Sequence, residues 1–459
     1  MRAAPSSARG QGPDGSRGRA APDPYQPSHG TTDAHVEHYD LDLTYRVTPN
    51  RLIGTATLRL RVLRSVTELA LDLIGLAVDR VTVQGADLVR HRHRDGRLVL
   101  RFAGPVAADA VLTVAVRYGG NPAPVTSPWG LVGWEELADG VVVASQPTGA
   151  PTWFPCNDRP GDKSTYRISL TVDSPYRVLA PGVLVSTRVR AATTTWVFED
   201  RHPTSTYLVT VQIGRYDQIA IADGPVPQRA VLPATLRPAA QRALAQHGAM
   251  MTLFSELFGP YPFDQYTLVV TPDELEIPLE AQGIAIFGAN HLEPGDEGAR
   301  LVPHELAHQW FGNSVSVSSW QHIWLSEGLA CYAEWLWSQA SGGLSADALA
   351  RLWHGRLARM PQDLVLADPG PQRIFDDRVY KRGALTVHAL RGALGDAPFF
   401  ALIRHWTARY ADATVDTALF RAHCAEHATA AGGPRRAREV ADLLSAWLDV
   451  PRLPRLTGR

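Results

Sequence analysis

Apolar and polar residues alternate through the first half of the chain, and this period of two limits what it can fold into. The alternation runs from about residue 36 to residue 216. Four of its runs have these apolar positions: Tyr39, Leu41, Leu43, Tyr45 and Val47; Ala56, Leu58, Leu60 and Val62; Tyr166, Ile168, Leu170 and Val172; Tyr207, Val209, Val211 and Ile213. Turns rich in Gly, Pro and Asp separate the runs. The pattern predicts an antiparallel β domain in which each sheet buries one face.

The period changes near residue 225. An apolar face with helical spacing follows, made by Met250, Leu253, Phe254, Leu257 and Phe258. A strand is predicted at residues 266–270, and beyond it the pattern is mostly helical. The sequence therefore predicts a multidomain α+β chain, with a β-rich domain at residues 31–225 and a mainly α domain at residues 226–459. Residues 1–30, rich in Gly, Pro, Ser, Ala and Arg, are predicted to form a disordered tail.

Composition narrows the function classes. The net charge of -1 and the pI near 7.0 argue against binding to nucleic acid or an anionic membrane. The chain has no apolar run of about 18 residues and no signal-peptide core near its start. Its three cysteines form no CxxC pair, so we expect neither a disulfide framework nor a cysteine-rich zinc site. We expect a cytoplasmic protein; the sequence does not specify an oligomeric state.

The segment HELAH, residues 304–308, matches the pattern HExxH. Residues four apart on a helix lie one above the other, so His304 and His308 can reach the same ion. Glu305 lies beside them and can contact a metal-bound water instead of the ion. Apolar neighbours predict a buried helix, in which such groups need a partner.

A third ligand is predicted on the next helical stretch. Glu327, within WLSEG, follows His308 by nineteen positions. Two imidazoles and one carboxylate suit zinc better than magnesium or calcium, and they leave a fourth position open, as a catalytic site requires. We therefore expect one zinc ion per chain, held by His304, His308 and Glu327.

The same residues resemble a known family. HELAHQWFGN (residues 304–313) followed by WLSEG is similar to the HExxH-x18-E motif of the aminopeptidase N family of gluzincin zinc metallopeptidases. WFPCND (residues 153–158) and Asp23-Pro24-Tyr25 with the strand around Tyr39 extend the resemblance to roughly residues 23–455. It implies a saddle-like β domain followed by a thermolysin-like catalytic domain. The chain looks like a short form without the family's C-terminal helical domain.

The resemblance also implies roles for three further residues, and a fourth is a candidate on general grounds. Glu280, in IPLEAQG, matches the glutamate of the family's exopeptidase signature, which binds the free amino terminus of the substrate. Gln146 lies where the family often supplies a second contact to that terminus. Tyr380, in VYKRGA, resembles the tyrosine that stabilises the oxyanion. Glu334 is a candidate for orienting a metal ligand.

These residues predict a zinc-dependent aminopeptidase that hydrolyses the N-terminal bond of peptides with a free amino terminus, with Glu305 as general base. Two alternatives use the same fold. One is a zinc endopeptidase or a relative of epoxide hydrolases with the same metal site. The other is a catalytically silent peptide-binding scaffold, against which the complete set of site residues argues.

Overall fold

A computed structural model describes residues 22–293 and 296–456, with the backbone alone for residues 296–299. In the described part of the chain, the N-terminal domain contains the strands β1 (Ala34–Arg46), β2 (Arg51–Val62), β3 (Val66–Asp72), β4 (Ala77–Gln84), β5 (Leu88–Arg94), β6 (Arg97–Val106), β7 (Val111–Gly120), β8 (Val125–Ser127), β9 (Gly130–Leu137), β10 (Gly140–Ala144), β11 (Lys163–Asp173), β12 (Arg177–Leu179), β13 (Val183–Arg190), β14 (Thr193–Ser205) and β15 (Gln212–Gly214). The alternating residues of β1 and β2 point to one buried face, as their period of two predicts.

The N-terminal strands form three sheets. The largest has the order β13-β14-β11-β1-β2-β7-β4, and the smaller ones are β12-β15-β10-β9-β8 and β3-β6-β5. Most neighbours are antiparallel, as predicted, but β1 and β11 run parallel, with Tyr39 opposite Tyr166. The two rings stack with centroids 4.9 Å apart inside the core of this domain.

The second domain combines a sheet with helices. Its described elements are β16 (Asp217–Ala222), β17 (Gln228–Leu232), α1 (Arg237–Ala243), α2 (His247–Phe258), β18 (Tyr266–Val270), β19 (Leu279–Ala281), β20 (Ile284–Phe287), α3 (Asp296–Ala307), β21 (Ser316–Val317), α4 (Trp324–Ala340), α5 (Ala346–Leu357), α6 (Asp377–Leu394), α7 (Asp396–Arg409), β22 (Thr414–Val415) and α8 (Thr417–Leu448). A five-stranded sheet has the order β16-β17-β18-β20-β19, and β21 pairs with β22. None of the described helices combines the length and apolarity needed to cross a bilayer.

The predicted boundary near residue 225 falls inside this five-stranded sheet. β16 precedes the boundary and β17 follows it, yet the two pair antiparallel from Asp217 opposite Leu232 onwards. The sheet therefore places the start of the second domain at β16. The prediction failed because alternating apolar and polar residues indicate that β16 is a strand but do not indicate which sheet it joins.

The predicted tail is also too long. Residues 1–21 lie outside the described residues, but residues 22–30 are folded onto the rest of the chain. The carboxylate of Asp23 is buried and accepts a hydrogen bond from the backbone N–H of Trp320 at 2.8 Å. The Pro-rich composition of the segment conceals this anchor, because the partner lies 297 positions away.

Helices α4 and α6 pack closely through two glycines. A Cβ atom built on Gly328 would lie 2.7 Å from the Cα atom of Gly383, which is closer than atoms of a packed core approach one another. Glu327 precedes the first glycine, and Tyr380 lies one turn before the second. The contact therefore sets the distance between two predicted site residues.

We expect Gly328→Ala to lower the free energy of unfolding by about 1–3 kcal/mol, because the added methyl group forces the two helices apart. Urea unfolding followed by circular dichroism measures this. Gly392→Ala on α6 is the matched control, since nothing lies within 4 Å of its Cβ position. It should stabilise the helix by about 0.5–1 kcal/mol. An unchanged unfolding midpoint for Gly328→Ala would contradict the account of the helix contact.

Candidate active site

The predicted HExxH segment lies at the end of α3. His304 is in the last turn, and His308 is the first residue after the helix. The backbone N–H of His308 still donates to the carbonyl oxygen of His304 at 3.1 Å, so the two residues keep the helical spacing of four. The Nε2 atoms of the two rings are 3.1 Å apart. Both residues are buried, so the structure brings the two imidazoles together where the sequence predicted a shared ion.

Glu327 completes this group from the first turn of α4. Its Oε2 atom lies 3.5 Å from the Nε2 atom of His304 and 3.5 Å from that of His308. The side chain of Glu327 is 2% exposed. Three ligand atoms of the kinds that zinc prefers therefore converge from two helices that are separate in the sequence.

The other ring nitrogens of the two histidines have acceptors. The Nδ1 atom of His304 lies 2.8 Å from Oε1 of Glu334, and that of His308 lies 3.0 Å from the carbonyl oxygen of Phe311. With a proton on each Nδ1, both Nε2 atoms present lone pairs to the same point. The predicted orienting contact of Glu334 is confirmed.

The electrostatics of the group favour a cation at its centre. Burial lowers the pKa of His308, but the carboxylates of Glu280 and Glu327 outweigh this and raise it to about 10. Burial raises the pKa of Glu327, and the two histidines outweigh it and lower it to about 2. The Oε2 atom of Glu305 is buried and has no hydrogen-bond partner among the described residues. The donor set and this unpartnered oxygen together fit a zinc ion with a water beside it.

Two basic residues near the group were missed by the sequence reasoning. The guanidinium of Arg300 donates to both oxygens of Glu334, at 3.2 and 3.4 Å, and Nζ of Lys381 lies 3.7 Å from Oε2. Arg300 precedes His304 by one helical turn, and this spacing could have indicated it. Lys381 comes from α6, so the sequence carried no such signal. Both cations keep Glu334 ionised, which strengthens its hold on His304.

Glu280 and Gln146 meet beside the metal ligands. Glu280 lies on β19, the last strand in the order of its sheet, and Gln146 follows β10 of the N-terminal domain. The amide Nε2 of Gln146 donates to Oε1 of Glu280 at 2.7 Å. Burial is the main cause that raises the pKa of Glu280, and the negative charge of Glu327 adds to it. The two residues form a polar pair that can receive a positive charge.

Tyr380 lies beside His304 in the same cavity. The two rings are nearly parallel, with centroids 6.0 Å apart. Burial, with the charges of Glu327 and Glu280, raises the pKa of Tyr380 well above its ordinary value. The hydroxyl group therefore stays protonated and can donate a hydrogen bond.

All seven predicted site residues line one cavity of about 550 Å³, a size typical of sites for small ligands. They are Gln146, Glu280, His304, Glu305, His308, Glu327 and Tyr380. Further acidic side chains, among them Glu135, Glu274 and Asp377, line the same cavity, whose described basic residues are Arg300 and Lys381. The wall is therefore predominantly negative, which favours cationic ligands.

An HExxH helix completed by a glutamate from the next helix, beside the edge strand of a sheet, defines a metallopeptidase centre of the gluzincin type. Models of two domains of one family match the chain: the Peptidase M1 N-terminal domain at residues 35–208 and the Peptidase family M1 domain at residues 242–447. The chain belongs to peptidase family M1. The resemblance to aminopeptidases of this kind is thereby confirmed.

Solved structures with both domains are similar over nearly the whole chain. An M1 zinc metallopeptidase mutant from Deinococcus radiodurans, bound to the substrate Tyr-Ser-Ala, has a TM-score of 0.83 and 28% identity, covering 94% of this chain and 97% of its own. A two-domain M1 zinc metallopeptidase mutant bound to L-tryptophan has a TM-score of 0.83 and 29% identity, covering 94% and 98%. The predicted α+β architecture of a β domain followed by a mainly α catalytic domain is confirmed.

Curated relatives are longer. Aminopeptidase M1-D of Oryza sativa subsp. japonica is 26% identical over 419 residues, which cover 84% of this chain and 47% of the relative. Leucyl aminopeptidase of Saccharolobus solfataricus is 25% identical over 292 residues, which cover 57% of this chain and 36% of the relative. The chain thus spans about half or less of the length of these relatives.

We expect Glu334→Gln to weaken zinc binding by about 10–100-fold, because an uncharged amide holds the imidazole of His304 less firmly. Competition with a chromogenic chelator measures the zinc affinity. Glu439→Gln, which removes an exposed carboxylate on α8, is the control and should leave it unchanged. If Glu334→Gln binds zinc as tightly as the unaltered protein, the orienting role of Glu334 is wrong.

Proposed function

We propose that this chain is a zinc-dependent aminopeptidase that hydrolyses the N-terminal peptide bond of peptides. One observation carries most weight: the pair Glu280 and Gln146 lines the same cavity as the group His304, His308 and Glu327. A site for a positive charge thus lies next to a site for a metal ion. A free amino terminus held at the first site brings the first peptide bond to the second.

His304, His308 and Glu327 would hold one zinc ion. When bound, zinc polarises a carbonyl group and lowers the pKa of water towards ~7. Similar structures carry the name zinc metallopeptidase, and this supports the choice of metal.

Glu305 is the general base in this proposal. It is adjacent to His304 in the sequence, and its Oε2 atom has no hydrogen-bond partner in the described part of the chain. Burial raises its pKa to about 7, with His304 and His308 acting in the opposite direction. A carboxyl group with such a pKa can take a proton from water and then deliver it to the leaving amine near neutral pH.

Tyr380 stabilises the charge that develops on the carbonyl oxygen. Its hydroxyl group stays protonated, and its ring lies beside that of His304 with centroids 6.0 Å apart. A hydrogen bond that forms only to the oxyanion lowers the barrier without tightening the binding of substrate.

Glu280 binds the α-ammonium group, and Gln146 holds the carboxylate of Glu280 in place at 2.7 Å. β19 is an edge strand, so its backbone can also pair with an extended peptide. When Glu280 holds the terminal ammonium group, the first peptide bond lies at the metal group, and this limits cleavage to that bond. Peptides with a free N-terminus are therefore the proposed substrates.

We expect Glu305→Gln to lower kcat by about 10²–10⁴-fold while zinc content stays unchanged, because the amide cannot carry the proton. Turnover of aminoacyl fluorogenic substrates and metal analysis by mass spectrometry measure the two quantities. Glu439→Gln again serves as the control. Turnover at the original rate would refute the role of Glu305. An unaltered protein that binds zinc but never turns over a peptide would indicate the silent scaffold.

We expect Glu280→Gln to lower kcat/KM for substrates with a free amino terminus by roughly 10–100-fold, since a hydrogen bond to a charged group contributes about 1.5–3 kcal/mol. The same peptides with an acetylated terminus give the comparison. The unaltered protein should cleave free peptides and leave acetylated ones intact, and Glu280→Gln should narrow the difference. Equal cleavage of both forms by the unaltered protein would identify an endopeptidase.

We further propose that the protein acts in the cytoplasm. Cys156, Cys331 and Cys424 are all free and buried, as suits a reducing compartment. Cell fractionation followed by immunoblotting tests this, and recovery outside the cytoplasmic fraction would contradict it.

A further inference from the structure

Three histidines lie together away from the catalytic cavity. His405 is on α7, and His423 and His427 are one turn apart on α8. Their ring centroids are 4.6 to 5.2 Å apart. One nitrogen of each ring lies within 4.8 Å of the other two. None of the three lines the cavity that contains Glu305.

His423, the buried member of this group, has one ring nitrogen without a hydrogen-bond partner among the described residues. The side chain is buried, with 1% of the residue exposed. Its Nε2 atom lies 3.1 Å from the carbonyl oxygen of Leu402, so Nε2 carries the proton and donates it. The Nδ1 atom therefore holds a lone pair, and it has no hydrogen-bond partner in the described residues. Such an unsatisfied buried acceptor requires an explanation.

A metal ion would provide one. Histidines that bind metals commonly donate the proton of the other ring nitrogen to a backbone carbonyl, which fixes the tautomer and the orientation of the ring. The contact between His423 and Leu402 is of this kind. The hydrogen bond that holds His308 to Phe311 in the catalytic group has the same form.

The other two rings, those of His405 and His427, contact each other through their ring nitrogens. The Nδ1 atom of His405 lies 2.8 Å from the Nε2 atom of His427. In a tetrahedral zinc site two nitrogens at about 2.0–2.1 Å from the ion are about 3.3 Å apart. The two nitrogens therefore need to move apart by about half an ångström to bind one ion together. Small rotations of the two side chains are sufficient for this. His405 is exposed and His427 partly so, which leaves access for the ion and for a water.

Charges around the group are compatible with an ion. Burial lowers the pKa of His423 to about 4, and the neighbouring His427 and His405 also lower it, so the ring is neutral at pH 7, as a ligand must be. The guanidinium of Arg409 lies near His423, and its Nη1 donates to Oε2 of Glu426 at 2.8 Å. This ion pair neutralises the guanidinium beside the histidines.

We propose that His405, His423 and His427 form a second metal site, which takes a divalent transition-metal ion of the zinc type. Three imidazoles without a carboxylate suit zinc, nickel or copper and do not suit magnesium or calcium. The ion would add a link between α7 and α8, which also meet through the ion pair of Arg409 with Glu426 and aromatic contacts such as that of Trp406 with Phe420. The site serves the stability of the C-terminal helices and takes no part in peptide cleavage.

Zinc stoichiometry tests the proposal. Metal-free protein is titrated with zinc chloride at pH 7.5 by calorimetry, and the double variant His405→Gln/His427→Gln is compared with the unaltered chain. Both replaced side chains reach the surface, and buried His423 is kept, so the fold is preserved. His91→Gln, an exposed histidine on β5, is the control. We expect the double variant to bind one equivalent fewer than the unaltered chain and the control, and to keep its peptidase activity.

Equal stoichiometry in the double variant and the unaltered chain would overturn the proposal. The test compares the zinc stoichiometry of the unaltered chain with that of the double variant, so it does not depend on the catalytic site. Even if the catalytic group bound no zinc, the double variant would bind one equivalent fewer. Cobalt(II) provides a second reading. The visible bands of the bound ion should lose intensity in the double variant and keep it in His91→Gln, and bands of undiminished intensity in the double variant would also refute the site.

Discussion

The burial of charge around His304 and His308 is the constraint on which the rest of the structure depends. Glu305 and Glu327 are 3% and 2% exposed, and ionised carboxylates without water are costly unless a cation compensates them. The compensating charges must come from fixed positions, because a small displacement would leave a buried charge unpaired. The close packing of α4 on α6 through Gly328 and Gly383 provides that fixed geometry.

The N-terminal domain contributes to the same geometry from outside. The Nζ atom of Lys163, on β11, donates to the carbonyl oxygens of Asn313 and Ser314 at 2.8 Å each, and these residues follow the HExxH segment. Burial lowers the pKa of Lys163 to about 7, so its hold on the segment is sensitive to pH. The hydroxyl group of Tyr207 donates to Gly312 at 3.2 Å. The β domain therefore fixes the end of the helix that carries the metal ligands and also brings Gln146 to Glu280.

The predictions that succeeded depend on residues close together in the sequence, and those that failed depend on contacts between distant residues. The period of two in β1 and the spacing of His304 and His308 are local, so the sequence predicted them correctly. The end of the tail depends on a contact between Asp23 and Trp320, 297 positions apart, and composition cannot indicate such a contact. The boundary near residue 225 failed because β16 joins the second domain only through β17, and β17 in turn pairs with β18, which begins at Tyr266.

The sequence alone thus determined the class of fold and indicated the candidate metal ligands, because helical and strand periods place neighbouring side chains on known faces. Tertiary structure decided the rest. It brought Gln146 to Glu280 across 134 positions and placed His405 beside His423 and His427 on another helix. These contacts depend on how the helices and strands pack against one another. That packing is set by all the buried side chains together and cannot be inferred from a local sequence pattern.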